Sequence, residues 1–157
     1  MISLIRIDDR LIHGQVCTQW LHYSRAKKIL IIDDATAKDM FMSKMLTKMA
    51  PLGTTVEVLT CEDSISRLKD LLETFNDNIM ILTKGPSPIL NMIENEIHVE
   101  NVIVGGMGKN GERSTLYKNI SASQAERDCF KKIIDKGVKV YLQVLPSDKQ
   151  VDIDSYL

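Results

Sequence analysis

Short apolar runs alternate with helix-length amphipathic stretches along most of this chain, and that alternation limits its fold more than any other feature. Residues 2–7, 28–32, 55–59, 79–82, 102–104 and 138–144 are rich in Ile, Val and Leu. Most lack the in-and-out pattern of a half-solvated strand, so they read as parallel strands buried on both faces. The stretches 14–23, 37–49, 62–75, 88–94 and 124–136 carry the spacing of amphipathic helices. Ser123 with Glu126 has the capping-box pattern, and Thr60 with Asp63 is a weaker version. Ser87 stands as a cap before Pro88, and Gly137 is placed to stop the last helix. Residues 114–120 suit a short strand or an irregular excursion. The expected fold is α/β: an open, mainly parallel, doubly wound sheet of about six or seven strands with helices on both faces.

A length of 157 residues with 44% hydrophobic and 26% charged side chains fits one globular domain, 1–157. There is no repeat, low-complexity tract or Pro/Ser-rich linker to mark a second. Twenty Lys plus Arg face 21 Asp plus Glu, so the net charge of -1 offers no footprint for nucleic acid or anionic lipid. Any anion site must be built locally. No apolar stretch approaches the roughly 18–20 residues of a bilayer span, and the first ten residues lack a signal-peptide pattern, so a cytoplasmic location is expected. Cys17, Cys61 and Cys129 match neither a zinc pair nor a disulfide framework and read as buried, reduced thiols. No metal and no cofactor is expected.

Open α/β sheets bind ligands beyond the carboxyl ends of their strands. The search narrows to residues 8–15, 33–35, 60, 83–87, 105–111 and 146–148. The first of these loops is the most unusual, because Arg6, Asp8, Asp9, Arg10, His13, Gly14 and Gln15 crowd into ten positions. Leu11 and Ile12 can tuck into the core while Arg10 and His13 face outward, with His13 at the mouth of a helix. The amides of Gly14, Gln15 and Val16 and the positive helix end then suit an anion. A neutral imidazole keeps a lone pair for attack on phosphorus, and the N–P bond it forms is labile enough to pass the group on. Arg10 is the candidate guanidinium for the phosphoryl oxygens. Asp8 or Asp9 could hold the second ring nitrogen.

Other patterns are weaker. Residues 106–111 fit G-x-G-x-x-G, but no helix pattern opens there and Lys131 stands where an acid belongs, so a nucleotide site is disfavoured. Gly105 and Gly106 read as places where backbone passes close to the first loop. Asp33 and Asp34 with Thr83 and Lys84 hint at a receiver domain, yet the acids follow the wrong strand. Thr83 and Lys84 could also meet phosphate oxygens. Met40, Met42, Met45 and Met49 read as adaptable packing that also suits a partner. His22 and His98 read as structural or solvent-facing.

The run Arg6-Ile7-Asp8-Asp9-Arg10-Leu11-Ile12-His13-Gly14-Gln15-Val16 closely resembles the active-site loop of the EIIB components of the mannose/fructose/sorbose family of the bacterial phosphoenolpyruvate-dependent sugar phosphotransferase system. Residues 104–107 and 144–149 look like family segments as well. The resemblance implies a phosphoryl carrier: His13 is phosphorylated by the phosphohistidine of EIIA and passes the group to a sugar carried by membrane EIIC and EIID. It implies Arg10 as the arginine that helps hold the phosphate, and a homodimer. The family often has Asn-Asp where this chain has Asp33-Asp34, and the expectation is that Asp33 points away while Asp34 orients the first loop. Arg6, Lys27, Lys28 and Lys84 are expected at the rim, and Arg6, Asp34, Gly105 and Gly106 behind His13. The alternative is a regulatory adaptor of the same fold whose His13 phosphorylation controls partner binding.

Overall fold

In the seven-stranded sheet, ordered β3-β2-β4-β1-β5-β8-β9, the strand that leads into the crowded loop is central. This computed structural model describes residues 1–157 apart from the side chains of Gln15 and Val16. The strands are β1 (Ile2–Asp8), β2 (Ala26–Ile32), β3 (Thr55–Leu59), β4 (Asn78–Thr83), β5 (Asn101–Gly106), β8 (Lys139–Leu142) and β9 (Val151–Asp152). All pair in parallel except the edge strand β9, which runs antiparallel to β8. The helices are α1 (Gly14–Ser24), α2 (Asp34–Lys38), α3 (Met40–Lys48), α4 (Cys61–Thr74), α5 (Ser87–Glu94) and α6 (Gln124–Asp135).

The sheet separates two apolar layers, which explains its strands' near-continuous apolar runs. In β2, Ile29 and Ile31 join the layer under α1 and α3 with Trp20, Leu21 and Leu46. Leu30 and Ile32 join the opposite layer with Leu68, Leu71, Ile89, Phe130 and Ile133 from α4, α5 and α6. The same period of two along β1 sends Ile5 and Ile7 to the second layer and turns Arg6 toward the first. Arg6 is thus a charge inside an apolar layer, only 2% exposed.

Local signals hold at several helix ends. Thr60 Oγ1 accepts from Asp63 N at 3.1 Å, the Ser123–Glu126 capping box is complete, and Gly137 leaves α6 at φ +85°. The expected helix 37–49 is instead two helices. Asp39 takes an extended conformation, and its carboxylate accepts from Phe41 N and Met42 N, so it starts α3 and breaks the run. Ser87 is not the cap expected of it: Pro86 holds that position and Ser87 is already helical. The expected strand 138–144 is shorter, ending at Leu142. Residues 114–120 fall in an antiparallel hairpin, β6 (Ser114–Tyr117) and β7 (Ile120–Ala122), that turns through Lys118 at φ +47°. Met40, Met45 and Met49 are exposed, so α3 anchors itself through Leu46.

Candidate active site

Three carboxyl-terminal strand ends converge on the loop after β1. Arg6 Nη1 donates to Gln143 O at 3.0 Å, while Nη2 donates to Val144 O at 3.1 Å and to Asp8 Oδ2 at 3.3 Å. The guanidinium also lies 4.8 Å from the Trp20 ring, whose Nε1 donates to the same Val144 oxygen at 2.8 Å. Burial pulls the Arg6 pKa below its usual value while Asp8 opposes it, and the side chain stays a cation at physiological pH. Backbone makes room for this pair. A Cβ on Gly105 would lie 1.9 Å from Arg6 Nη2, and one on Gly106 would lie 2.7 Å from Asp8 Oδ1.

Asp8, 1% exposed, is the hub. Its Oδ1 accepts from Arg10 N and Arg10 Nε, both at 3.2 Å, and its Oδ2 accepts from Arg10 Nη2 at 3.4 Å and from Arg6. That same Oδ2 lies 3.8 Å from His13 Nε2. Of the three acids considered for His13, Asp8 is the one beside it. Two guanidiniums against one carboxylate leave this cluster formally positive.

His13 occupies the residue before α1, with extended backbone, and its side chain is 22% exposed. Its Nδ1 lies 3.0 Å from Leu11 O, so the neutral ring carries its proton there and donates it to the carbonyl. Nε2 is buried and has no hydrogen-bond partner among the described residues. The loop reaches this geometry through two left-handed residues, Leu11 at φ +57° and Gly14 at φ +43°. Glycine suits the second, whereas Leu11 is strained and is held by its N–H on Asp8 O at 2.9 Å and by burial of its side chain. Leu11 and Ile12 fill the α1-side core as expected. Gly14 is exposed at the start of α1. The expected contributions of Gln15 and Val16 lie outside the described residues.

Several residues sit elsewhere than expected. Asp9 faces away from His13, and its Oδ2 accepts from Gly108 N at 2.7 Å and Arg113 Nη1 at 3.1 Å. Asp34 does not orient the first loop, because its carboxylate accepts from Cys61 N at 2.7 Å. Asp33 caps α2 through Thr36 and pairs with Lys84 Nζ at 3.3 Å. Burial pushes the Asp33 carboxyl up, but the Thr36 bonds and Lys84 outweigh it and hold it below the usual range. Thr83 is fully buried and donates to Gly85 O at 2.8 Å, which leaves it unavailable to phosphate. Lys84 remains partly exposed. Lys27 and Lys28 lie at the start of β2, the far end of a parallel sheet from His13, and Arg6 is internal, so none of the three belongs to the rim. His22 and His98 are exposed.

The three cysteines are free, with Cys17 buried and Cys61 and Cys129 half-buried. Burial, with Asp34 nearby, pushes the Cys61 thiol up to about 11, and burial does the same for Cys129, so neither supplies a thiolate nucleophile near neutral pH. Among the described residues no group of His, Cys, Asp and Glu could hold a metal ion, and no helix is long and apolar enough to cross a membrane.

Nearly the whole length of the chain has counterparts of known family. Residues 2–157 match the family described as PTS system sorbose subfamily IIB component. The chain belongs to this IIB family. Its similar proteins include the PTS system fructose-specific EIIB component of Bacillus subtilis (strain 168), 32% identical over 154 residues, with 96% of this chain and 92% of that one covered. The PTS system mannose-specific EIIAB component of Escherichia coli (strain K12) is 28% identical over 151 residues, which make up 96% of this chain but 46% of that longer one. The crystal structure of the IIBSor domain of the sorbose permease from Klebsiella pneumoniae superposes with a TM-score of 0.94 at 30% identity, covering 99% of this chain and 95% of that one. Membership makes this IIB chain a sugar phosphotransferase-system component of a class that acts as phosphotransferases. The mainly parallel seven-stranded sheet is the IIB sorbose fold.

Proposed function

We propose that His13 is the phosphoryl acceptor of this IIB component, taking the group from a phosphohistidine of EIIA and passing it to a sugar carried by membrane EIIC and EIID at the inner face of the membrane. The observation that carries this reading is the contact of one buried carboxylate, Asp8, with Arg6, Arg10 and the edge of the His13 ring. In the first step a ring nitrogen of His13 attacks phosphorus. The donor's N–P bond breaks, and its electron pair returns to the donor imidazole. In the second, a sugar hydroxyl oxygen attacks phosphorus as the His13 N–P bond breaks; the electron pair returns to the imidazole, and the proton lost by the hydroxyl restores the neutral ring. No cofactor enters either step.

The two guanidiniums have different duties. Arg6 is tied to two carbonyls and Asp8, so it supplies a fixed positive charge under the loop. Arg10, with 56% of its side chain exposed, can leave Asp8 and fork onto the phosphoryl oxygens. Gly14 at the entrance of α1 adds a backbone donor at the positive helix end. The ring must also turn, because in its present orientation Nδ1 is occupied by Leu11 O and Nε2 is buried toward Asp8. Arrival of the phosphoryl group, which draws Arg10 off Asp8, loosens that side of the ring's surroundings.

A pulse-chase in membranes containing EIIC and EIID tests the relay. Label placed on the IIB chain by phosphorylated EIIA should leave as sugar phosphate when sugar is added. Label that no sugar chases would favour the regulatory adaptor.

A further inference from the structure

We infer that Arg113 is a positioning residue for phosphoryl acceptance, acting on the His13 loop through Asp9; this rests on the reading of His13 as the acceptor. Arg113 lies between β5 and β6, and its side chain is only 12% exposed. Nη1 donates to Asp9 Oδ2 at 3.1 Å and to Gly108 O at 3.2 Å. Nε and Nη2 grip the two Glu126 oxygens at 2.9 Å each, and Nη2 also reaches Lys84 O at 3.4 Å. One guanidinium therefore ties together the loops after β1, β4 and β5, and anchors them to the capping box of α6.

The mechanical consequence falls on the loop after β1. Asp8 fixes that loop from beneath, but the neighbouring residue is held from outside by Gly108 N and Arg113 on its carboxylate, and by its own N–H on Gly106 O at 3.0 Å. Two residues further on, Leu11 sits in the left-handed region, a conformation that persists only where its surroundings determine it. Leu11 O is in turn the acceptor for the His13 ring. Loosening Asp9 should thus spread through Leu11 to the backbone that carries His13, the frame from which the ring turns toward the donor.

Electrostatics point the same way. Arg113 neutralises Asp9, the residue next to the Asp8 hub, and shares the charge of Glu126. A planar fork bonded to carboxylates on two sides is not replaced by a lysine ammonium. Because Arg113 is largely covered, it offers little surface to the donor, so its loss should change turnover rather than donor affinity.

The test measures phosphoryl transfer from phosphorylated EIIA to the full chain, with donor concentration varied, for wild type, Arg113→Gln, Asp9→Asn and the double variant. Displacement of reacting groups by about 1 Å can cost on the order of a hundredfold, and Arg113→Gln should lower kcat by about tenfold or more with KM unchanged. The double variant should be no slower than the slower single one, and the His13 ring NMR signals should shift in Arg113→Gln. If Arg113→Gln does not fold, Asp9→Asn must show the same loss of kcat. Wild-type kcat in folded Arg113→Gln, or effects of the two substitutions that multiply, would overturn the inference while leaving His13 as acceptor. A wild type that takes no label on His13 would overturn both.

Discussion

Arg6 and Asp8, two residues apart on one face of β1, meet at 3.3 Å with 2% and 1% of their side chains exposed. A buried pair of this kind contributes little net stability against an apolar replacement, but removing one partner strands the other's charge. Asp8→Asn would leave Arg6 with two carbonyls and no counterion. It should destabilise the fold by about 3–5 kcal/mol, the usual cost of breaking a buried pair, read from urea denaturation. A loss below about 1 kcal/mol, the range of exposed pairs, would show that the carboxylate is not the hub described above.

Gly105→Ala puts a methyl group where the Arg6 guanidinium lies. The guanidinium cannot yield freely, because Gln143 O and Val144 O hold it. Overpacking should cost about 1–3 kcal/mol in thermal or urea denaturation. Arg6→Met strands Asp8 in either background, but because it vacates that space it should destabilise Gly105→Ala by less than it destabilises the wild type.

Arg10 offers the opposite separation. Its pairing with Asp8 is half-solvated on the arginine side, so Arg10→Ala should change stability by only about 0–1 kcal/mol. Losing a donor to developing phosphoryl charge should slow transfer far more, on the order of a hundredfold. Paired measurements of melting temperature and transfer rate check this, and a parallel fall in both would contradict it.

Acid titration should reveal Glu126. Burial raises its carboxyl, but the hydrogen bonds from Arg113 and Ser123 outweigh burial and hold it below its ordinary 4.5. A carboxyl depressed in the folded state adds stability that is full above 4.5 and is lost as pH falls through the lower folded value. Glu126→Gln should therefore flatten the pH dependence of unfolding free energy below about pH 4.5 and leave its slope near neutrality unchanged. An unaltered acid limb would count against the Arg113–Glu126 link.

How legible these features were follows from how local they are. The strand β2 could be read because Ile29 to Ile32 feed two apolar layers by turns, which removes any alternation. The hairpin β6–β7 and the edge strand β9 are two to four residues long, too short for a period to show. The break at Asp39 is hidden because Ala37 and Lys38 before it favour a helix and Met40, Met42, Met45 and Met49 after it keep a helical spacing. At the site, Asp8, Arg10 and His13 lie in one run and could be grouped by eye. Asp9 could have been separated from Asp8, since neighbours at the end of an extended strand point to opposite sides. Arg113 had no such signal, because its partner Asp9 is 104 positions away and only the sheet topology brings them together.

The most direct test of the central claim is intact and peptide-level mass spectrometry of the chain after exposure to phosphorylated EIIA, with wild type beside His13→Gln. The account predicts one acid-labile, base-stable phosphoryl adduct on the wild-type peptide containing His13 and none on the variant. Equal labelling of the two proteins, or an adduct on another residue, would contradict it.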